Sequence, residues 1–179
     1  MGAPSGMDRV RQPIRIRQAE PRDFESILTI YNHYIEHSHV TFDVRPYRSE
    51  ERTEWFDQFH ATGPYRLYVS EADARVVGYA CSTPFRPKPA YGTSVETTVY
   101  LAPDHTGKGI GALLYQPLLT ALESEDVHRA YAVIVLPNPA SIRLHTRVGF
   151  REAATLREVG RKFGKYWDVS WYERSLDPS

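Results

Sequence analysis

Three glycines alternate along Thr106-Gly107-Lys108-Gly109-Ile110-Gly111. The residues ahead of them, 97–101 (TTVYL), are β-branched and aromatic and read as a strand. Residues 102–108 hold Pro103, Asp104 and Gly107 and read as a tight connection. From Gly109 onward, Ile110, Leu113, Leu114 and Leu118 recur at helical spacing. The glycines therefore stand where a strand hands over to a helix. Glycine there permits positive φ and close approach to the main chain, while the helix start offers unpaired N–H groups and a positive dipole end. The chemistry this suits is the holding of an anion, a pyrophosphate above all. The second reactive candidate is Glu96, a lone acid within TSVETTVYL. Burying a carboxylate in a central strand is costly, so Glu96 lies at a mouth or takes part in chemistry.

Other chemistries fit less well. A P-loop needs G-x-x-x-x-G-K-[ST], and Lys108 is followed by Gly109. A loosened dinucleotide pattern, G-x-G-x-x-A, matches Gly107, Gly109 and Ala112, but the next strand ends in Leu136-Pro137-Asn138 with no acid for a ribose. A glycine-rich helix entry without a ligand is a further reading. His33, His37 and His39 suggest a metal, yet the first two lie opposite the apolar stripe of their helix and no nearby Cys, Asp or Glu completes a set. No metal is expected. Cys81, the only cysteine, sits in the apolar run VVGYACS and reads as a buried thiol rather than a nucleophile.

The elements that position these residues follow from the pattern. Residues 14–18 (IRIRQ) alternate and open a sheet. Pro21 and Asp23 start a helix that runs to about residue 37, with Phe24, Ile27, Leu28, Tyr31 and Ile35 on one stripe. After a connection over 40–48, Ser49 reads as the N-cap of a second helix reaching about residue 61. Residues 66–71 and 75–82 read as a hairpin around Ala72-Asp73-Ala74, followed by a proline-stiffened loop over 83–90. Residues 130–136 (AYAVIVL) read as a strand buried on both faces. Asn138 caps a helix with Pro139 at its first position and Gly149 at its end. Residues 150–158 and 166–174 close the sheet, joined by a basic turn over 160–165.

A chain of 179 residues with formal net charge zero suggests one domain and gives no electrostatic pull toward nucleic acid or an anionic membrane. One cysteine fits a reducing compartment, and no apolar run approaches the roughly 20 residues of a spanning helix. A cytoplasmic location is expected. Residues 1–13 carry no hydrophobic signal region and read as a loose tail or an expression remnant.

Taken together, TGKGIG, the run NPASIRLHTRVGF and the Pro21-x-Asp23 helix start resemble the GNAT acetyltransferases over about residues 14–175. Residues 106–111 match the acetyl-CoA signature [QR]-x-x-G-x-[GA], except that Thr106 stands where Gln or Arg is usual. Asn32-His33-Tyr34-Ile35-Glu36, Ala90-Tyr91, Glu96-x-Thr98-Val99-Tyr100, Leu136-Pro137-Asn138, His145 and Asp168-Val169 resemble the phosphinothricin (methionine sulfone/sulfoximine) N-acetyltransferase branch. The resemblance implies an α/β fold over 14–179: a mixed, mostly antiparallel, splayed sheet of about seven strands with helices on both faces. It implies acetyl-CoA as cosubstrate. The main chain of Thr98, Val99, Tyr100 and Leu101 would flank the pantetheine. Thr106, Gly107, Lys108, Gly109, Ile110 and Gly111 would hold the pyrophosphate, with Asn138 nearby.

An ammonium with a pKa near that of lysine, about 10, must lose a proton before it attacks a thioester. Glu96 matches the branch's base and His145 the position of its acid, while an N–H near Val99 would stabilise the tetrahedral oxyanion. Phe42, Arg86, Lys88, Tyr91 and Tyr166 would wall an amino acid bearing an oxyacid-like group. Tyr166 stands where branch members often have Trp, and Trp167 where they often have His. Relatives are commonly homodimers, which the resemblance implies here. A peptide N-acetyltransferase, a non-catalytic acyl-CoA-binding module and a nucleotide-binding regulator are the competing readings.

Overall fold

The computed structural model describes residues 13–176. The tail expected over 1–13 lies outside them, Pro13 apart. Seven strands form one sheet in the order β1-β2-β3-β4-β5-β7-β6. They are β1 Arg15–Gln18, β2 Leu67–Ala72, β3 Arg75–Pro84, β4 Ser94–Leu101, β5 Arg129–Val135, β6 Arg151–Lys162 and β7 Lys165–Ser175. The helices are α1 Phe24–His37, α2 Thr53–Asp57, α3 Ile110–Glu123 and α4 Pro139–Arg147. Every strand pair is antiparallel except β4–β5, which α3 joins as a crossover.

The period-2 alternation of β3 divides the core. Ala80 faces a cluster built by Leu114, Tyr115, Leu118 and Leu122 of α3, with Ile142 and Leu144 of α4 packed against it. Tyr79 and Cys81 face the opposite cluster, with Ile27 and Ile30 of α1 and Trp55 and Phe56 of α2. Helices therefore cover both faces, as the sequence led one to expect. Each fully buried Leu of α3 contributes about 1.5–3 kcal/mol. Leu113, expected on the same stripe, is 44% exposed, and Tyr115 takes the inward position. Cys81 is buried, and burial pushes its thiol up to about 12.

Two boundaries and one burial pattern differ from expectation for tertiary reasons. The second helix shrinks to a 3₁₀ turn, Ser49–Glu51, followed by the short α2. Ser49 does not cap it, because its hydroxyl donates to Glu25 at 2.6 Å. The turn expected over 160–165 contracts to Phe163-Gly164, both at positive φ, so β6 continues to Lys162. Gly160 lies within that strand because the ring of Phe42 packs on it; a Cβ there would sit 2.0 Å from the ring. Lastly, β5 is buried on one face, while Tyr131 and Val133 on the other are only half-buried.

Candidate active site

The parallel β4–β5 ladder has three rungs, Ser94↔Arg129, Val95↔Ala130 and Glu96↔Tyr131, and then the strands part. Thr97 marks the fork. Its hydroxyl donates to the Tyr131 carbonyl at 3.0 Å. Behind it lies a polar chain through the core. Tyr115 Oη is 3.3 Å from Thr97 Oγ1 and 2.8 Å from His145 Nε2. His145 Nδ1 is 2.8 Å from the Ser141 carbonyl. The Ser141 hydroxyl lies 3.1 Å from the same Nδ1, so both ring nitrogens are hydrogen-bonded within the core. Burial lowers the His145 pKa, against the opposing Ser141 bond, which keeps the ring neutral. His145 was expected to be an acid. It lines the cavity while both of its ring nitrogens bond to Tyr115 and Ser141.

Beyond the fork, the main chain of β4 divides its groups. Ala102 N–H bonds to Val77, and the register then turns the groups of Tyr100, Thr98 and Glu96 toward β3. Those of Thr97, Val99 and Leu101 point the other way, into the cleft. Of the four residues expected to flank a pantetheine, Thr98 and Tyr100 thus bring side chains only. The Leu101 carbonyl already accepts from Tyr34 Oη at 2.7 Å. Val99 keeps its main-chain groups open.

At the cleft's outer end, Gly107 and Gly109 have φ of +70° and +80°, with open space where a Cβ would stand. Gly109 is the N-cap of α3 and has no side-chain cap. Among the described residues, no acceptor takes the N–H of Gly107, Lys108, Gly109 or Ile110. Residues 107–109 are exposed, and their donors at a helix start fit a pyrophosphate. Gly111 serves packing, since a Cβ there would meet Leu144 at 2.8 Å. Ile110 is buried in the core. Thr106 Oγ1 donates to the Pro103 carbonyl at 3.0 Å, and the Lys108 ammonium folds onto the Asp104 carbonyl. Asn138 caps α4 by accepting from Ser141 N–H at 3.1 Å.

The cleft opens into a cavity of about 650 Å³. Glu96, Thr98, Val99, Tyr100, Leu101, Thr106, Asn138, His145 and Phe42 all line it. Burial raises the Glu96 pKa, and the Arg86 charge partly offsets this. The structure also brings in Tyr31, Arg52, Trp55 and Tyr79, none of which stood out in the sequence as a site residue. Arg86, Lys88, Tyr91 and Tyr166 do not line the cavity. Arg86 lies 4.6 Å over the Phe85 ring and 5.0 Å over Trp171. Tyr91 packs edge-on against Phe85, Tyr166 is 62% exposed, and Lys88 is exposed. The rings of His33 and His37 stack 4.6 Å apart on α1.

Residues 27–150 match the model of the acetyltransferase (GNAT) family. The chain belongs to the GNAT family. It is 53% identical over 165 residues to a phosphinothricin N-acetyltransferase of Streptomyces coelicolor, covering 91% of this chain and 96% of that protein. It is 35% identical over 164 residues to the L-methionine sulfoximine/L-methionine sulfone acetyltransferase of Pseudomonas aeruginosa, covering 92% and 95%. The structure of yncA from Salmonella typhimurium, with its cofactor acetyl-CoA, superposes with a TM-score of 0.88 at 33% identity, covering 94% of this chain and 96% of that one. The splayed sheet is thus the GNAT sheet.

Proposed function

We propose that this GNAT protein transfers an acetyl group from acetyl-CoA to the amine of a small amino-acid-like substrate of the phosphinothricin, methionine sulfone or methionine sulfoximine type. The observation that carries the reading is the fork itself: open main-chain groups at Val99 stand three residues along β4 from a cavity-lining carboxylate, Glu96. The names and high coverage of the relatives support the substrate class.

In this reading acetyl-CoA, when bound, supplies the activated acetyl group. The N–H groups of residues 107–110 hold its pyrophosphate, Thr106, Lys108 and Gly111 frame that cradle, and Asn138 closes on it from α4. Val99 offers the added-strand rung for the pantetheine and the N–H for an oxygen gaining negative charge. Glu96 takes the proton of the substrate ammonium, and its raised pKa brings it closer to the amine it must deprotonate. His145 holds the fork through Tyr115 rather than giving a proton. Phe42 and the aromatic walls enclose the substrate. Arg86, Lys88, Tyr91 and Tyr166 act on substrate only where a second copy of the chain brings such residues over this mouth, which is the homodimer we propose.

Thiol release tests the reading. Free CoA should appear only when acetyl-CoA and an amine of this class are both present. No release with any of the three amines, or faster release with an N-terminal peptide, would overturn the substrate class. Tight NAD binding without acetyl-CoA binding would overturn the transferase reading.

A further inference from the structure

The cavity is lined by one carboxyl side chain, Glu96, and one guanidinium, Arg52. Arg52 stands at the entry to α2, its guanidinium carbon 5.1 Å from the Tyr31 ring centre, 4.7 Å from Tyr47 and 4.6 Å from Trp55. Aromatic faces steady a cation, but they leave its five in-plane N–H donors unused. Among the described residues, no carboxylate lies within ion-pair distance of Arg52. Other arginines are committed: Arg17 to Asp23 and Glu71, Arg45 to Glu51, Arg66 to Glu125. A rigid planar fork is thus held on the cavity wall without an acceptor. Such a fork suits a tetrahedral or carboxylic oxyacid.

Its place along the sheet says which part of a substrate it meets. Trp55 packs on Tyr79 with ring centres 6.2 Å apart, and Tyr31 packs on Tyr100 at 5.2 Å. Tyr79 and Tyr100 are register partners in β3–β4. Glu96 lies four residues back on the same face of β4, its Cα about 13 Å along the strand from that of Tyr100. Arg52 is therefore stacked at the Tyr100 end of the cavity and Glu96 stands at the other. An α-carboxylate stays beside the amine that faces Glu96, whereas an oxygen at the end of an extended side chain points toward Arg52.

We propose that Arg52 selects substrates carrying an oxyacid or sulfonyl group at the end of the side chain, remote from the amine that faces Glu96. The inference rests on the acetyltransferase reading and names the residue that sets its side-chain specificity. Arg52 is a specificity residue here, distinct from a buttress that merely props α2 on its aromatic neighbours.

The test compares wild type, Arg52→Met and Arg52→Lys on phosphinothricin, methionine sulfone and L-methionine, the last lacking the terminal oxygens. Both kcat/KM and calorimetric binding in the presence of CoA are measured. Losing a charge-assisted fork should weaken phosphinothricin binding and its kcat/KM advantage over L-methionine roughly 10- to 100-fold in Arg52→Met. Arg52→Lys, which keeps the charge and stands in should the Met variant not fold, should recover part of it. Equal losses on all three ligands would mark a buttress and overturn the proposal. So would a wild type that fails to bind phosphinothricin. Arg52-dependent binding without acetyl transfer would uphold the proposal and remove the transferase reading. Transfer with an unchanged preference in Arg52→Met would do the reverse.

Discussion

Replacing Glu96 by Gln should produce a loss that depends on pH in a way only a lost base can. A primary ammonium with a pKa of about 10 is neutral in roughly one molecule per thousand at pH 7. With Glu96 in place, the ammonium form can bind and hand its proton to the carboxylate on the way to attack, so turnover is not confined to the fraction already neutral in solution. Without it, only the fraction already neutral reacts. The expected loss in kcat/KM at pH 7 is therefore about 10³-fold, or about 4 kcal/mol. It should shrink about tenfold per pH unit and nearly vanish by pH 10. The wild type should behave differently. Burial raises Glu96 above its ordinary 4.5 despite Arg86, and the deprotonated form is the active one. Wild-type kcat/KM should therefore climb through that raised pKa and then level off.

Initial rates of thiol release between about pH 5 and 10, for both proteins and one amine, decide it. Acetyl-CoA affinity should stay nearly unchanged, because the cradle at residues 107–110 lies on another element. A Gln variant that runs parallel to the wild type at every pH would refute the reasoning. So would a loss of the same size at pH 7 and pH 9.5, which would make Glu96 a structural acid.

Gly160→Ala would put a Cβ 2.0 Å from the Phe42 ring, so the ring must move within the cavity wall. We expect KM for the amine to rise more than kcat falls, with an overpacking cost of about 1–3 kcal/mol read by urea unfolding. Tyr115→Phe removes the hydroxyl bonded to His145 Nε2 and leaves that buried nitrogen unpaired, which should cost about 1–3 kcal/mol. Its thermal melt should drop while the shape of the pH–rate profile persists; a lost alkaline limb would restore His145 as the acid. Asp23→Asn should cost about 1–3 kcal/mol near pH 7, since Arg17 bonds both Asp23 oxygens. Burial pushes the Asp23 pKa up, but the Arg17 bonds and the Glu20 N–H outweigh it, so the folded value lies below the ordinary 3.8. The contribution is then present above 3.8 and lost as pH falls through the folded value. Chemical denaturation at a series of acid pH values should show the wild-type advantage closing there.

How far the sequence reached depended on whether a feature was local. Residues 106–111 could be read as an anion cradle because a strand end, two left-handed positions and a helix start are contiguous in the chain. Glu96 could be read because a carboxylate within TSVETTVYL breaks the rule for its own strand. Arg52 breaks no such rule. It stands among Glu50, Glu51 and Glu54 and reads as one more solvated charge, until folding sets Tyr31, Tyr47 and Trp55 around it. Arg86 and Lys88 err the other way. A cationic, aromatic loop looks like an anion wall, but spacing says nothing of direction, and Arg86 spends its guanidinium on Phe85 and Trp171. The failed boundaries share this cause. Ser49 has the right type for a cap but is drawn to Glu25, and Gly160 looks like a turn residue but makes room for Phe42. Local inconsistency marks a functional residue only when its anomaly lies within its own element. A residue whose role is assembled from four elements looks ordinary in each. Arg52 is such a residue, which is why its aromatic neighbours and its missing partner, rather than its position in the chain, carry the case for it.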